Sequence, residues 1–314
     1  MGQYFLTVGG QVLTLFLLIG VGFLLGRARV IHEAGASVLT DLALYIATPF
    51  VIINSFLRPF DAAKGASLGV CLLLAAASFA VSIGLAHLLL HDKSRPDSQA
   101  VLRFAAVFSN AGYMALPLQE AVLGADGVFY GASFIMVFNL VTWTYGFMLM
   151  SGQRRLTLRN ILVNPGIIGA TCGIILFVTS AVEWLPAPVT GTVGYLASLN
   201  TPLPMLLIGY FLSKTDILAA LRDGRGYLCL ALRLVLVPLL MVGALWGLKQ
   251  MLPIPSAMAV AIVIAQSAPS AASTTMMAAK FGRDTNLSVN MVSVGTMLSM
   301  LTIPLIVSLA LLVL

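Results

Sequence analysis

The chain has 314 residues, of which 60% are hydrophobic and only 9% charged, with a mean hydropathy of +1.02. Soluble domains carry roughly a quarter charged residues, so this composition excludes a soluble globular protein and defines an integral membrane protein bathed in a lipid bilayer. The formal charge of +6 is then no sign of nucleic-acid binding; what matters is where the 17 Lys and Arg residues fall.

A spanning helix needs roughly 20 mostly apolar residues. In chain order, such segments lie at roughly 8–26, 38–57, 66–90, 99–118, 127–150, 163–182, 191–212, 227–248, 256–279 and 287–312, which makes about ten spans joined by short connections. Residues 1–26 hold no Lys or Arg, so the start reads as the first span and not as a cleavable signal, which needs a basic n-region. Spans 1 and 6 contain Gly22-Phe23-Leu24-Leu25-Gly26 and Gly169-Ala170-Thr171-Cys172-Gly173. These small-xxx-small patterns permit close helix contact, either inside one chain or across a homodimer. Cys71, Cys172 and Cys229 fall in separate spans and read as small buried side chains, not as a disulfide or metal set.

The basic residues sort to one side. Arg27, Arg29, Lys93, Arg95, Arg103, Arg154, Arg155, Arg159, Lys214, Arg222, Arg225, Arg233, Lys280 and Arg283 share a face, 14 of the 17; Arg58, Lys64 and Lys249 take the other. The richer face is expected to be cytoplasmic, giving a multi-pass protein of the cell's inner (plasma) membrane with both termini outside. No Lys or Arg is expected at mid-depth in any span.

Two spans are interrupted where a membrane helix should be continuous. Span 4 reads Phe108-Ser109-Asn110-Ala111-Gly112-Tyr113-Met114-Ala115-Leu116-Pro117, and span 9 reads Gln266-Ser267-Ala268-Pro269-Ser270-Ala271-Ala272-Ser273-Thr274. Irregular backbone is tolerated inside a bilayer only where protein or a watery cavity satisfies it, and a matched pair of breaks points to a transporter's binding site. Thr48-Pro49 in span 2 and Thr201-Pro202 in span 7 match as well: Pro49 precedes Pro117 by 68 residues, and Pro202 precedes Pro269 by 67. Pro49, Pro117, Pro202 and Pro269 are therefore the expected helix breaks. The repeat holds five spans, an odd number, so the second copy must be inverted. The expected fold is an all-α membrane protein of two inverted five-helix repeats, residues 1–152 and 161–314, joined by a cytoplasmic linker at 153–160, with helices 4 and 9 broken.

Each broken span restarts at mid-depth with a helix N-terminus, which carries free N–H groups and partial positive charge. Two such ends suit a small anion, most naturally a carboxylate. Asn110 is the leading contact, with Ser109, Ser267, Ser270, Ser273 and Thr274 beside it; for the hydroxyls, bonding back to their own helix is the competing reading. The first halves end in carbonyls, which suit a cation or water. Gln119 and Gln266 either line the cavity or cap broken backbone. Asp41 and Glu120 are the candidates for carrying a coupling proton, although Asp41 also reads as snorkelling to the interface. No mid-depth nucleophile–base pair, metal set, cofactor motif or P-loop is present, so an intramembrane enzyme and ATP-driven transport are disfavoured.

Taken together, Ser109-Asn110 leading to Pro117, Asn164-Pro165-Gly166, Asn200-Thr201-Pro202-Leu203-Pro204, Ala268-Pro269-Ser270-Ala271 and Ala279-Lys280-Phe281-Gly282 resemble the auxin efflux carrier family, in its bacterial form, relatives of the plant PIN-formed carriers. The resemblance implies crossed helices 4 and 9, a scaffold and a mobile transport domain, and elevator-like export of organic anions such as malonate or malate. It also implies that Asn110 contacts the substrate carboxylate. The chain departs from relatives with an Asn in the span 9 crossover, offering Ser270, Ser273 and Thr274 there, and it lacks the long loop of plant members. The alternative within this architecture is a sodium-coupled symporter of the bile-acid-symporter type.

Overall fold

A computed structural model describes residues 2–91, 95–153, 165–215 and 224–314. Lys93, Arg154, Arg155, Arg159, Asn164, Arg222 and most of the expected 153–160 linker lie outside them. Among the described residues the regular structure is helical, with one isolated β-bridge and no strand.

In chain order the helices are α1 (Gly2–Arg27), α2 (Glu33–Phe56), α3 (Ala62–Leu89), α4 (Pro96–Val107), α5 (Ala111–Ser151), α6 (Pro165–Val178), α7 (Ala187–Ser198), α8 (Pro202–Lys214), α9 (Tyr227–Lys249), α10 (Ser256–Ser267), α11 (Ser273–Lys280) and α12 (Thr285–Val313). Seven helical runs are long and apolar enough to cross a membrane, α7 and α8 together counting as one of them; α6 and α10 are shorter apolar helices. The long α5 contains the expected second half of span 4 and all of span 5, folded over at Gly124, whose φ of 64° is a left-handed conformation that glycine adopts without steric cost.

The helices pack in two groups, which meet where α1 also lies along α12. In the first, α1 lies along α8, and α6 and α7 lie along the second half of α2. In the second, α3, α9, α10 and α12 surround α4 and α5. Close approach in the first group depends on glycine. A Cβ on Gly22 would stand 2.2 Å from the Leu206 carbonyl oxygen, and one on Gly209 would stand 2.0 Å from that of Ile19. Gly169 and Gly173 meet Pro49 and Phe56 in the same way. Both small-xxx-small patterns are thus used inside the chain.

The prolines are accommodated differently. Pro202 opens α8 after a non-helical turn at 199–201, whereas Pro49 sits in an unbroken run. The backbone before Pro49 widens into a π-turn at Ala43–Ala47, with the Thr48 hydroxyl donating to the Ala43 carbonyl at 2.8 Å. That widening absorbs the N–H a proline lacks without a break. Pro117 is also inside helical backbone, at the start of Leu116–Val141 and seven residues past Asn110. Cys71 and Cys229 are buried and Cys172, read as buried, is exposed on α6; all three are free thiols.

The loop ends are tied by charge. Arg58 and Lys64 both meet Asp126 at the α5 bend, Arg58 at 3.1 Å. At the opposite helix ends Arg283 pairs with Asp97 and donates to the Met150 carbonyl at 2.7 Å.

Gly22→Ala should destabilise the protein by about 1–3 kcal/mol, because the obstacle is partner backbone that cannot rotate away. Gly20→Ala, two residues along with open space at its Cβ position, should leave the thermal midpoint in detergent unchanged. Equal midpoints for the two variants would show that α1 and α8 do not pack through Gly22.

Candidate functional site at the helix crossing

Helix α4 ends at Val107 and α10 ends at Ser267; their continuations meet. Ser109 and Ser270 form an antiparallel bridge. The Asn110 N–H donates to the Pro269 carbonyl at 2.7 Å, and the Ala271 N–H donates to the Phe108 carbonyl at 2.9 Å. Each break therefore supplies the backbone partners that the other lacks, which is how irregular chain survives away from water. The Ser270 hydroxyl adds a bond to the Ala105 carbonyl at 2.9 Å. Phe108 anchors the first break among aromatic rings, 4.3 Å from Phe104, 5.7 Å from Phe138 and 6.0 Å from Phe79 between centroids. Gly295 of α12 passes the break at ordinary contact distance, its Cβ position 3.7 Å from Pro269 Cβ.

The crossing pairs Ser109 with Ser270, not Pro117 with Pro269. Pro269 lies in its break, but Pro117 does not, because the span 4 interruption is complete at Asn110 and its helix resumes at Ala111. A third interruption joins them: Asn200, between α7 and α8, donates from Nδ2 to the Gly112 carbonyl at 2.9 Å. Gln119 donates to the Ala261 carbonyl at 2.7 Å and ties α5 to α10.

The largest difference from the sequence reading is Arg233. Expected among the cytoplasmic basic residues, it is fully buried inside α9. Its Nη1 donates to the Ala106 and Val107 carbonyls at 3.1 and 3.2 Å, the last turn of α4. Its Nη2 donates to the Gln266 carbonyl, at the end of α10, and to Gln266 Oε1 at 2.7 Å. Gln266 Nε2 in turn reaches Ser78 Oγ of α3 at 2.9 Å. A guanidinium thus holds the carbonyl ends of both broken helices, and Gln266 joins the same network. The signal was present in the sequence: Arg233 stands six residues inside an apolar span, where an ionisable side chain is a functional candidate by default. Removing it from the positive-inside tally leaves 14 − 1 = 13 basic residues against 3.

On the other side of the crossing the helices restart. The first N–H groups of α5 and α11 have no acceptor within their own helix; those of Thr274 and Thr275 are taken by the Ala271 and Ala272 carbonyls at 2.9 and 3.2 Å. Beside them Ser109 Oγ, Asn110 Nδ2, Ser273 Oγ and Thr274 Oγ1 are enclosed with no hydrogen-bond partner among the described residues. Buried polar groups are ordinarily paired, so four unpartnered atoms at these two helix starts stand out. Ser267 does not join them; its hydroxyl bonds back to the Val263 carbonyl at 2.7 Å. Ser270 is likewise engaged by Ala105. Glu120 and Asp41 are both exposed and neither belongs to the crossing.

A cavity of about 700 Å³ lies alongside, lined by Tyr113 and Ala272 just beyond the two breaks, with Thr275, Asn286, Asn290 and Lys214 as its main polar groups. Asn286 and Asn290 escaped the sequence reading; their spacing of four on α12 puts them on one helix face. An adjoining hollow of about 850 Å³ carries Arg29, His32, Glu33 and Asp41 and shares Lys214. Asp41 therefore belongs to a charged vestibule.

A bundle of membrane-length helices, two of them broken and crossing around partnerless polar groups, belongs to the class of membrane transporters. The membrane transport protein family matches residues 7–157 and 153–307, nearly the whole chain, and the protein belongs to it; this is the auxin efflux carrier family that the motifs resemble. An uncharacterized transporter of Methanothermobacter thermautotrophicus is 24% identical over 94% of this chain and 95% of its own length. Another, of Methanocaldococcus jannaschii, is 22% identical over 94% and 96% respectively.

Ser270→Ala removes a bond between two elements of the crossing and should cost about 0.5–1.5 kcal/mol. Ser267→Ala removes only a bond within one helix and should be near neutral in the same thermal unfolding series. A reversed order would contradict this account of the two hydroxyls.

Proposed function

We propose that this membrane transporter is a secondary carrier of small organic anions, mono- or dicarboxylates, working by elevator-type alternating access. The observation that carries the reading is the set of partnerless donors at the two helix starts: Asn110 Nδ2 with the Ser109, Ser273 and Thr274 hydroxyls. Each helix start contributes about half a positive charge, so two facing one site supply about one unit, the charge of a single carboxylate. Neutral donors and dipoles hold an anion without the grip of a fixed cation, which suits release on the far side.

The inverted-repeat reading, with halves at 1–152 and 161–314, draws support from the packing. α1 lies on α8 and α6 on α2, the exchange of partners that a two-fold axis in the membrane plane would generate. Antiparallel pairing of the two breaks is consistent with the same axis. The first packing group, α1, α2, α6, α7 and α8, would be the scaffold, and the second, holding the crossing, the moving body. The 700 Å³ cavity lies against α8 and α2 on one side and α11 and α12 on the other, where sliding would open and close a path. The donor atoms are enclosed, so this conformation has the site shut and needs such a movement to admit ligand. Exposed Glu120 and Asp41 lie away from the crossing, so proton coupling would act at the edge of the moving body through Glu120 on α5 and from the scaffold through Asp41 on α2.

The direct test is a thermal-shift screen of purified protein against mono- and dicarboxylates, followed by flux in proteoliposomes. A ligand that binds the native state raises its apparent stability by mass action. Asn110→Ala should weaken the best ligand by about tenfold to a hundredfold, the loss of one hydrogen bond to a charged group of about 1.5–3 kcal/mol, while leaving the unliganded midpoint close to wild type. Unchanged affinity would remove Asn110 from the site. Lost affinity with collapsed stability would assign it to backbone satisfaction alone.

Orientation is testable separately. With 13 basic residues on one face and 3 on the other, Lys214 should face the cytoplasm, Lys64 the outside, and both termini the outside. In intact cells an impermeant thiol reagent should label Lys64→Cys and spare Lys214→Cys in a Cys172→Ser background; the opposite pattern would invert the topology.

A further inference from the structure

A helix C-terminus carries about half a negative charge, and at this crossing two of them, α4 and α10, present their last carbonyls to the same Arg233 guanidinium. Their sum is about one negative charge, supplemented by the side-chain oxygen of Gln266. Three backbone carbonyls and one amide oxygen make an all-oxygen cradle, the ligand type that hard inorganic cations take. In this chain all four oxygens accept from a single guanidinium, that of Arg233. None of the described salt bridges includes Arg233, so its charge is met by helix dipoles and not by an acid. Buried charges are stable only when paired, and breaking such a pair is costlier than never having made it.

We propose that Arg233 is the resident cation of the crossing: its guanidinium fills the oxygen cradle where a cation-coupled carrier would seat an inorganic ion, so this carrier runs without sodium. A second consequence rests on the anion-carrier reading. By cancelling the negative ends of α4 and α10, Arg233 leaves the positive starts of α5 and α11 as the uncompensated charge of the crossing. Arg233 would then favour anions without touching them, as a positioning residue.

The test uses the full-length purified protein and reads cation binding directly. Wild type should melt at the same temperature in sodium chloride and choline chloride of equal ionic strength. Arg233→Ala should melt lower and regain stability saturably on adding methylguanidinium or sodium, a response wild type lacks. Arg233→Met, which restores volume without charge, should remain destabilised. Saturable stabilisation of wild type by sodium but not choline would overturn the proposal. So would an Arg233→Met protein as stable as wild type, or a folded Arg233→Ala protein that responds to neither cation. If Arg233→Ala does not fold, the sodium–choline comparison on wild type decides alone. Carboxylate binding is not read in these titrations, so a protein that binds no carboxylate would defeat the functional reading and leave this result standing.

Discussion

The whole arrangement depends on how two interrupted helices satisfy their backbone in a place with little water. An unpaired N–H or carbonyl in that setting costs several kcal/mol, and a break exposes several at once. The solution here has two parts. Extended residues of one break bond to those of the other, through Asn110 to Pro269 and Ala271 to Phe108. The carbonyl ends left over are taken by Arg233, which no water or ligand needs to replace. At the helix starts the side-chain donors of Ser109, Asn110, Ser273 and Thr274 keep no partner among the described residues. The carbonyl ends of α4 and α10 are thus engaged by a guanidinium, while several side-chain donors at the helix starts are not engaged.

The polar residues of the crossing divide between two situations. Gln266, Gln119, Ser270 and Asn200 spend their hydrogen bonds on tying α3, α4, α5, α7, α9 and α10 together. Asn110, Ser109, Ser273 and Thr274 do not, although they are as enclosed as the others. Two residues one position apart, Ser109 and Asn110, are thereby both part of the bridge through their backbone and available through their side chains. The first break is held by aromatic packing around Phe108.

The two packing groups are held together by different means. Glycine-mediated contacts such as Gly22 on Leu206 and Gly209 on Ile19 bring the backbones of α1 and α8 together with no side chain between them. The crossing is held by its own polar network. The cavity, with its apolar wall and a few amides and hydroxyls, lies against α2 and α8 on one side and α11 and α12 on the other.

Composition, span length and the grouping of basic residues were sufficient to define a multi-pass helical protein, because the bilayer imposes one length and one periodicity on any chain that crosses it. The interruptions at Ser109–Asn110 and at Pro269 were also legible, since glycine, proline and small polar residues have no other reason to cluster at the centre of an apolar span. Family membership followed from the same motifs. Tertiary structure decided the rest. Spacing of prolines paired Pro117 with Pro269, but proline is tolerated in a first helical turn, so it marks a break only to within a turn or two, and the partner of Ser270 proved to be Ser109. Pro49 left its helix unbroken because a π-turn took up the missing N–H. Which hydroxyls were free and which bonded to their own helix depended on rotamers and neighbours that no spacing encodes. Arg233 was visible as a charge inside a span, yet its role arose only when folding brought together the ends of two helices that are 160 residues apart in the chain, at Val107 and Ser267. Dipoles sum in space and not in sequence, and for that reason the chain alone could name the charge but not what it neutralises.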